Sequence, residues 1–321
     1  MRARRVALID TTNRHYREIQ MNIFHRAVTF STLGFLLLLT RPVFADDLGP
    51  TLDKIQKSDV VVIGHREASI PFSYYDANQH VIGFSQDLCQ KVIEAIKVKL
   101  NKPGLNVRMI PVNSQNRISL VQNGSVDLEC GVTTNTNARH AQVAFSDTFF
   151  VTLTRLLVSK SSGVKDFSDL ANQTVVTNAG TTAEAILRRM NVEKKLNMSI
   201  ISTKDYGESF LTLQTGRAKA FMLDDVLLYG ARTLASTPSD WTVTGTAQSK
   251  EPYAFMMRKD DPQFKQLVDD ALTRTMKSGD INGLFAKWFQ KPVPPKNINF
   301  DFAMSPELRT LYANPNDQAA Y

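Results

Sequence analysis

The sequence predicts an α/β protein built from two similar lobes that are joined by two chain crossings. A strand, an amphipathic helix and a second strand follow one another early in the chain, which is the pattern of a parallel β-α-β unit. A second alternating set of strands and helices begins near residue 174. A strand-rich segment near residue 254 then returns the chain to the first unit, so the chain passes between the units twice.

The first unit begins with a helix over Thr51–Lys57 and a buried strand over Val60–Gly64. Ser85 is a typical helix N-cap, and apolar residues follow it at helical spacing until Asn101. These residues are Leu88, Val92, Ile96 and Leu100. A strand over Val107–Val112 completes the unit and favours a mostly parallel sheet.

The stretch from residue 114 to residue 146 predicts an anion-binding site. Arg117 lies in an amphipathic turn, Val126–Cys130 predicts a strand, and a helix is expected to begin near Thr133, with Arg139 close to its start. A helix N-terminus offers unpaired N–H groups and the positive end of a dipole. Together with the two arginines, this stretch is therefore expected to bind a small carboxylate.

The second unit follows a long β-rich run over Phe149–Val158. Its strands are predicted at Thr174–Thr177, Ile200–Ser202, Ala220–Leu223 and near Trp241, and its helices at Ala183–Met190, Ser209–Gln214 and Val226–Ala235. The segments Leu120–Leu128 and Thr212–Ala220 each contain a Gln followed two residues later by a Gly. This weak echo supports two related units.

A return strand over Ala254–Arg258 and helices over Pro262–Phe289 follow the second unit. We therefore expect residues 46–150 and 253–321 to form lobe one and residues 151–252 to form lobe two. Two adjacent crossings between lobes make a hinge, and a cleft between hinged lobes is a usual place for a small ligand.

The N-terminus, residues 1–45, has the pattern of a secretory signal peptide. Arg26 precedes an apolar run at residues 27–40 that is short for a membrane span, and Ala45 ends a cleavage-like motif. Met21 would begin a signal peptide of ordinary length, so a start at Met21 is an alternative to Met1. We expect the mature chain to be exported.

The basic net charge does not predict nucleic-acid binding. The 321 residues carry a formal charge of +7, but residues 1–45 hold seven basic and two acidic residues. Beyond them 31 basic and 29 acidic residues remain. That part has no basic run interleaved with aromatic residues, which nucleic-acid-binding surfaces usually carry.

The chain contains two cysteines, Cys89 and Cys130. Export favours a disulfide between them, while a buried thiol at Cys130 remains the alternative. The sequence has no C-x-x-C or H-x-x-x-H spacing, so we expect neither a metal site nor a cofactor.

Several segments together carry a family resemblance. They are HREASIPFSYYD, SQNRISLVQNGSVDLECG, AFSDTFFV, NAGTTAE, FMLDD and KWFQKPVPPKN. Over residues 51–316 the chain resembles the periplasmic solute-binding proteins of polar amino-acid ABC transporters, and most of all the branch that binds glutamate and aspartate. The resemblance implies the two-lobed periplasmic-binding-protein fold, with two mixed sheets flanked by helices and joined by a two-strand hinge. It also implies a periplasmic monomer that delivers an amino acid to an inner-membrane permease.

The resemblance assigns roles to individual residues. The residues expected to hold the ligand's α-carboxylate are a cation and two hydroxyl groups, namely Arg139, Thr134 and Thr182. Those expected to hold its side-chain carboxylate are two cations and a hydroxyl group, namely Arg66, Arg117 and Ser114. Asp224 is expected to pair with the α-ammonium.

The chemistry of these residue types agrees with an acidic ligand. An Arg fork binds a carboxylate with two hydrogen bonds and stays charged at neutral pH. Three arginines against one Asp match a ligand that has two carboxylates and one ammonium. A neutral amide would leave Arg66 and Arg117 unpaired in a drying cleft, at a cost on the order of several kcal/mol.

Two positions depart from the family pattern. Val132 stands where a Ser is usual, and Tyr206 stands where a His is usual near the side-chain carboxylate. Val132 removes a hydroxyl donor, whereas Tyr206 keeps one on a larger side chain. Both changes leave the choice between aspartate and glutamate open.

Two other functions are compatible with this fold. One is an enzyme such as a cyclohexadienyl dehydratase, because a fold does not determine a function. The assigned cleft residues, however, contain no evident acid–base pair, so we expect no catalysis. The other is a ligand sensor, which would act through a separate partner.

Overall fold

The structure, a computed structural model, describes residues 47–320. The predicted signal peptide, residues 1–45, therefore lies outside the described part of the chain. Within residues 47–320, none of the helices combines the length and the apolar character that a membrane crossing requires.

Helices and strands alternate through most of the described chain. The helices are α1 (Gly49–Ser58), α2 (Phe84–Lys99), α3 (Arg117–Gln122), α4 (Asn137–His140), α5 (Thr182–Glu193), α6 (Tyr206–Gln214), α7 (Asp225–Arg232), α8 (Pro262–Lys277), α9 (Asp280–Phe289) and α10 (Pro306–Ala313). The strands are β1 (Val60–His65), β2 (Ala68–Ser69), β3 (Ser73–Tyr75), β4 (Val81–Ile82), β5 (Asn106–Pro111), β6 (Leu128–Thr134), β7 (Val143–Phe145), β8 (Phe150–Ser159), β9 (Thr174–Asn178), β10 (Ser199–Thr203), β11 (Ala220–Asp224), β12 (Trp241–Thr244) and β13 (Lys250–Arg258). Short 3₁₀ turns span Lys160–Ser162, Phe167–Leu170 and Pro238–Asp240.

The main strands form one continuous mixed path in the order β10-β9-β11-β8-β13-β6-β1-β5. In the half that we call lobe one, β1 runs parallel to both β5 and β6. In the other half, lobe two, β9 runs parallel to both β10 and β11. Helices flank both halves, with α2 against β6 and with α5 and α6 against β9. The predicted α/β class is therefore confirmed, with a parallel core in each lobe.

Two antiparallel strands join the lobes. Residues 150–153 of β8 pair with residues 250–253 of β13. Beyond this pairing β8 continues into lobe two, where it pairs with β11 and β12, and β13 continues into lobe one, where it pairs with β6. Because the two strands cross side by side, they form a hinge about which the lobes can rotate.

The start of α2 differs from the prediction. The N-cap is Gly83, at φ 135°, and a Cβ there would lie only 2.0 Å from the carbonyl oxygen of Phe72. Ser85 lies inside the helix, and its hydroxyl donates to the carbonyl of Gly131 in β6 at 2.8 Å. The capping role predicted for Ser85 is wrong because this side chain bonds across to the sheet instead.

The two cysteines form a disulfide, which was one of the two alternatives predicted from the sequence. Cys89 of α2 and Cys130 of β6 are both buried, and their sulfurs are 2.06 Å apart. The bond ties α2 to the strand that ends at Thr134. It therefore stabilises the part of lobe one from which the candidate site extends.

Candidate ligand-binding site

Three predicted site residues lie at one edge of the lobe-one sheet. Arg66 directly follows β1, Ser114 follows β5, and Thr134 is the last residue of β6. Because these strands are adjacent and parallel, their carboxyl ends meet at the same edge. Ligands of open α/β sheets bind in crevices at such edges.

The residues assigned to the side-chain carboxylate carry unsatisfied donors. Arg66, Ser114 and Arg117 are each less than 5% exposed. Within residues 47–320, Nη1 of Arg66, Oγ of Ser114, and Nε and Nη1 of Arg117 have no hydrogen-bond partner. Buried polar groups nearly always have partners, so these donors point to an anionic group that completes the site.

The electrostatics of Arg117 lead to the same conclusion. Burial, together with the neighbouring Arg139 and Arg66, lowers the pKa of Arg117 to about 9. Arg117 still carries its charge at neutral pH, but its charged form is disfavoured by desolvation and by like charges. A bound carboxylate would remove part of this cost.

Glu129 is a functional candidate outside the predicted set. It lies in β6 and is fully buried, and its Oε2 accepts a hydrogen bond from Thr133 at 2.7 Å. Its charge raises the pKa of Arg117 and so partly offsets the lowering by burial. A Cβ on Gly131 would lie 2.0 Å from Oε1 of Glu129, so Gly131 leaves the space that this carboxylate occupies. The sequence signal that could have identified Glu129 is a charged residue within an otherwise apolar predicted strand.

Arg139 reaches across the cleft. It lies in α4, and its guanidinium donates to the carbonyl of Thr134 at 2.8 Å and to that of Gly180, in lobe two, at 3.4 Å. The helix expected near Thr133 begins four residues later, at Asn137, after the N-cap Thr136. The reason is that β13 pairs with Thr133 and Thr134 and extends β6 through both residues.

The lobes are in contact around the cleft. A Cβ on Gly180 would lie 2.7 Å from the carbonyl oxygen of Ser114, and one on Gly230 would lie 2.1 Å from that of Ile70. Both glycines belong to lobe two, and both carbonyls belong to lobe one. At these two points the backbones of the two lobes approach too closely to leave room for a side chain on either glycine.

Thr182 is the first residue of α5, next to its N-cap Thr181. The hydroxyl of Thr182 donates to Oε2 of Glu251 at 2.8 Å. A hydroxyl donates only one proton, and that of Thr182 is donated to Glu251. The group of Thr182 that can still donate to a ligand carboxylate is its backbone N–H at the helix N-terminus. Glu251 is a second buried carboxylate that was not among the predicted site residues.

Asp224 ends β11 and is buried. Its Oδ2 accepts from the hydroxyl of Tyr253 at 2.5 Å, and its Oδ1 accepts from Thr154 at 3.2 Å. Burial, and then the nearby Glu251, raise the pKa of Asp224 to about 7. A cation placed beside Asp224 would favour its ionised form, which suits a partner for an ammonium group.

Tyr206 is the first residue of α6 and is buried. The guanidinium carbon of Arg66 lies 4.8 Å from the centre of its ring, within cation–π distance. The side chain that replaces the usual His therefore contacts a lobe-one arginine directly.

Val132, the other position that departs from the family pattern, is buried in β6, three residues from Glu129.

The structure brings the three predicted arginines and Tyr206 near one another and places Thr182 and Asp224 near Glu251, and it changes the predicted charge balance. Two further buried carboxylates, Glu129 and Glu251, stand with Asp224 against the three arginines. The positive groups lie mainly on lobe one, whereas Asp224 and Glu251 lie on lobe two and the hinge. Such separation of charge within one cleft suits a small zwitterion that carries an additional anionic group.

The fold and the buried polar groups between its two halves define the class of hinged, two-lobed proteins. Residues 61–291 match the bacterial extracellular solute-binding proteins, family 3, and the chain belongs to this family. Solved structures of amino-acid-binding proteins share the two-lobed fold.

Curated relatives extend over most of the chain. The glutamate/aspartate import solute-binding protein of Escherichia coli K12 is 53% identical over 279 residues, which cover 86% of this chain and 92% of the relative. The L-glutamate/L-aspartate-binding protein of Pseudomonas aeruginosa is 53% identical over 291 residues, covering 90% and 96%. These relatives are named as binding proteins rather than as enzymes.

One solved structure bears on the enzyme alternative. It is an ancestral amino acid-binding protein described as a precursor of cyclohexadienyl dehydratase. It is 28% identical to this chain with a TM-score of 0.63, and the match covers 74% of this chain and 99% of that one.

Among residues 47–320, no group of three or more His, Cys, Asp or Glu side chains is arranged to hold a metal ion.

Proposed function

We propose that this protein binds an acidic L-amino acid, glutamate or aspartate, in the cleft between its lobes and delivers it to an inner-membrane ABC permease. The observation that carries the proposal is the cluster of buried, unpartnered donors on Arg66, Ser114 and Arg117. A second carboxylate on the ligand satisfies these donors, whereas an amide brings an N–H₂ group toward two cations. The naming of the relatives supports the same ligand class.

In this proposal each end of the ligand has its own set of residues. Arg139, Thr134 and the backbone N–H of Thr182 hold the α-carboxylate, and Asp224 accepts from the α-ammonium. The side-chain carboxylate is held by two arginines and a hydroxyl group, with an aromatic side chain beside them: Arg66, Arg117, Ser114 and Tyr206.

The proposed mechanism uses the hinge. Lobe one comprises residues 46–150 and 253–321, and lobe two comprises residues 151–252. The ligand meets lobe one first, and closure brings Thr182, Tyr206 and Asp224 onto it. The ligand shifts the equilibrium toward the closed form by its greater affinity for that form, and the permease recognises the closed surface.

The proposal includes a cellular location and a set of partners. Residues 1–45 act as a cleaved signal peptide, with Met21 as a possible start, and the mature chain works in the periplasm as a monomer. Its partners are the amino acid and the permease, without nucleic acid, metal or cofactor. The family description as extracellular solute-binding proteins supports this setting.

Calorimetry on refolded, ligand-stripped protein tests the proposed ligand class. We expect glutamate or aspartate to bind more tightly than glutamine and asparagine. Equal or tighter binding of the amides would contradict the role of Arg66 and Arg117. Incubation with prephenate and arogenate tests the enzyme alternative, and we expect no turnover.

A further inference from the structure

The segment formed by residues 314–320, which we call the strap, lies against the loop that joins Thr134 to Arg139. We propose that the strap positions these two residues for binding of the ligand's α-carboxylate. The inference rests on the proposed function, and it assigns a positioning role to a segment that supplies none of the proposed ligand contacts.

The first three residues of the loop, Thr134 to Thr136, are buried, but the helical turn that carries Arg139 packs little. Helix α4 is a single turn of four residues, and none of them is buried. The guanidinium of Arg139 is fixed by a hydrogen bond to the carbonyl of Thr134 at the start of the same loop. Because isolated helical turns are unstable, the position of Arg139 depends on the contacts that hold the loop from outside as well as on its own hydrogen bonds to Thr134 and Gly180.

The strap provides three hydrogen bonds to this loop. The N–H of Ala320 donates to the carbonyl of Asn135 at 2.9 Å, and the carbonyl of Ala320 accepts from the N–H of Asn137 at 3.3 Å. The side-chain amide of Asn135 donates to the carbonyl of Asp317 at 2.8 Å. These bonds place Ala320 beside Thr136 as a short parallel bridge. The strap therefore extends the sheet edge along the residues between the two proposed carboxylate ligands.

The strap is itself anchored to lobe one. The carbonyl of Asn316 accepts from the N–H of Thr148 at 2.8 Å, and the carboxylate of Asp317 lies 3.0 Å from the ammonium of Lys265 in α8. Helix α10, directly before the strap, packs its apolar face into the core. On its other side the loop is bonded to the hinge strand β13, because the N–H of Asn135 donates to the carbonyl of Pro252. The loop is thus held between β13 and the anchored strap.

This arrangement has a consequence for affinity. A loop that is already ordered does not lose conformational freedom when the ligand binds, whereas a loosened loop does. Loss of the strap contacts should weaken every ligand that uses the α-carboxylate site. It should leave the choice between side chains unchanged, because the hydrogen bonds and the ion pair described for the strap within residues 47–320 do not involve Arg66 or Arg117.

A single substitution removes one of the three bonds. Ala320→Pro deletes the N–H that donates to Asn135, and Ala320→Gly is the matched control that keeps this N–H. We expect Ala320→Pro to bind glutamate and aspartate about threefold to tenfold more weakly, the value of one hydrogen bond, with an unchanged ratio between the two. Ala320→Gly should bind like the unmodified protein. Unchanged affinity in Ala320→Pro, or an equal loss in both variants, would overturn the inference.

Hydrogen exchange gives a second readout that needs no ligand. In a variant that ends at Asn314, the amide of Asn137 loses its acceptor and should exchange faster, while amides in β9 of lobe two should be unaffected. Unchanged exchange at Asn137 would overturn the inference. If the unmodified protein binds neither acid, the proposed function fails, and the exchange rates still report whether the strap orders the loop.

Discussion

Arg117 is the residue from which the proposed selectivity for an acidic ligand follows most directly. Its guanidinium is buried, two of its nitrogens lack partners within residues 47–320, and its pKa is lowered. Each of these features is unfavourable in the protein alone, and each is relieved by an anion. Arg139 differs, because its hydrogen bonds to Thr134 and Gly180 fix it at the other end of the cleft.

The two arginines should therefore respond differently to substitution. We expect Arg117→Met to weaken glutamate by roughly 2–5 kcal/mol, the usual cost of removing one partner of a buried charge pair, and to weaken glutamine much less. Arg139→Ala should weaken both ligands, because both carry an α-carboxylate. Calorimetry with the two ligands measures these differences. Equal losses for glutamate and glutamine in Arg117→Met would remove this residue from the side-chain subsite.

Asp224 predicts a pH dependence of binding. The pKa of its carboxyl group is raised to about 7 by burial, with Glu251 and Asp225 adding to the shift, so the group is partly protonated at neutral pH. The ligand's ammonium favours the ionised form, and binding should release a proton. Affinity should therefore rise with pH below about 7, approaching tenfold per pH unit, and level off above it.

Calorimetry in two buffers of different ionisation enthalpy measures the released proton directly. Asp224→Asn should bind more weakly and should lose the pH dependence below about pH 7, since the amide does not titrate. An affinity that does not change with pH in the unmodified protein would show that Asp224 does not exchange its proton for the ammonium.

At the scale of elements, the turn before α5 controls how closely the lobes approach. Gly180 has φ +78° and lies against the backbone of Ser114. Gly180→Ala should weaken ligand binding by about fivefold to a hundredfold, because the added methyl group overpacks the closed form. Gly163→Ala is the matched control, since Gly163 has φ +77° but a methyl group added there would have no atom within 4 Å. Similar affinities for the two variants would exclude the contact with Ser114 as a determinant of closure.

The elements also show what the sequence could not predict. The strands and helices near the cleft were predicted from local periodicity, but the start of α4 was wrong, because the pairing of Thr133 and Thr134 with β13 joins residues more than a hundred positions apart. Glu251 was missed for the same reason: its partner Thr182 lies 69 residues away. Contacts that are distant in sequence leave no periodic signal.

At the scale of the whole molecule, the hinge explains why a sequence in two alternating units forms one site. The strands β8 and β13 pair side by side and join the half of the sheet that holds β1, β5 and β6 to the half that holds β9 and β11. The fold class followed from the alternation of elements and from the return of the chain near residue 254. The charge distribution of the site could not be predicted from the sequence. It depends on Glu129, which folding brings near Arg117, and on Glu251, which folding brings near Asp224.

A crystal structure of the ligand-stripped protein reconstituted with L-glutamate is the sharpest test of the proposed binding mode. We expect a closed form with the side-chain carboxylate within hydrogen-bond distance of Arg66, Ser114 and Arg117. The α-ammonium should lie beside Asp224. A ligand whose side-chain carboxylate lies away from all three of the first residues, or an unliganded cleft at saturating glutamate, would contradict this binding mode.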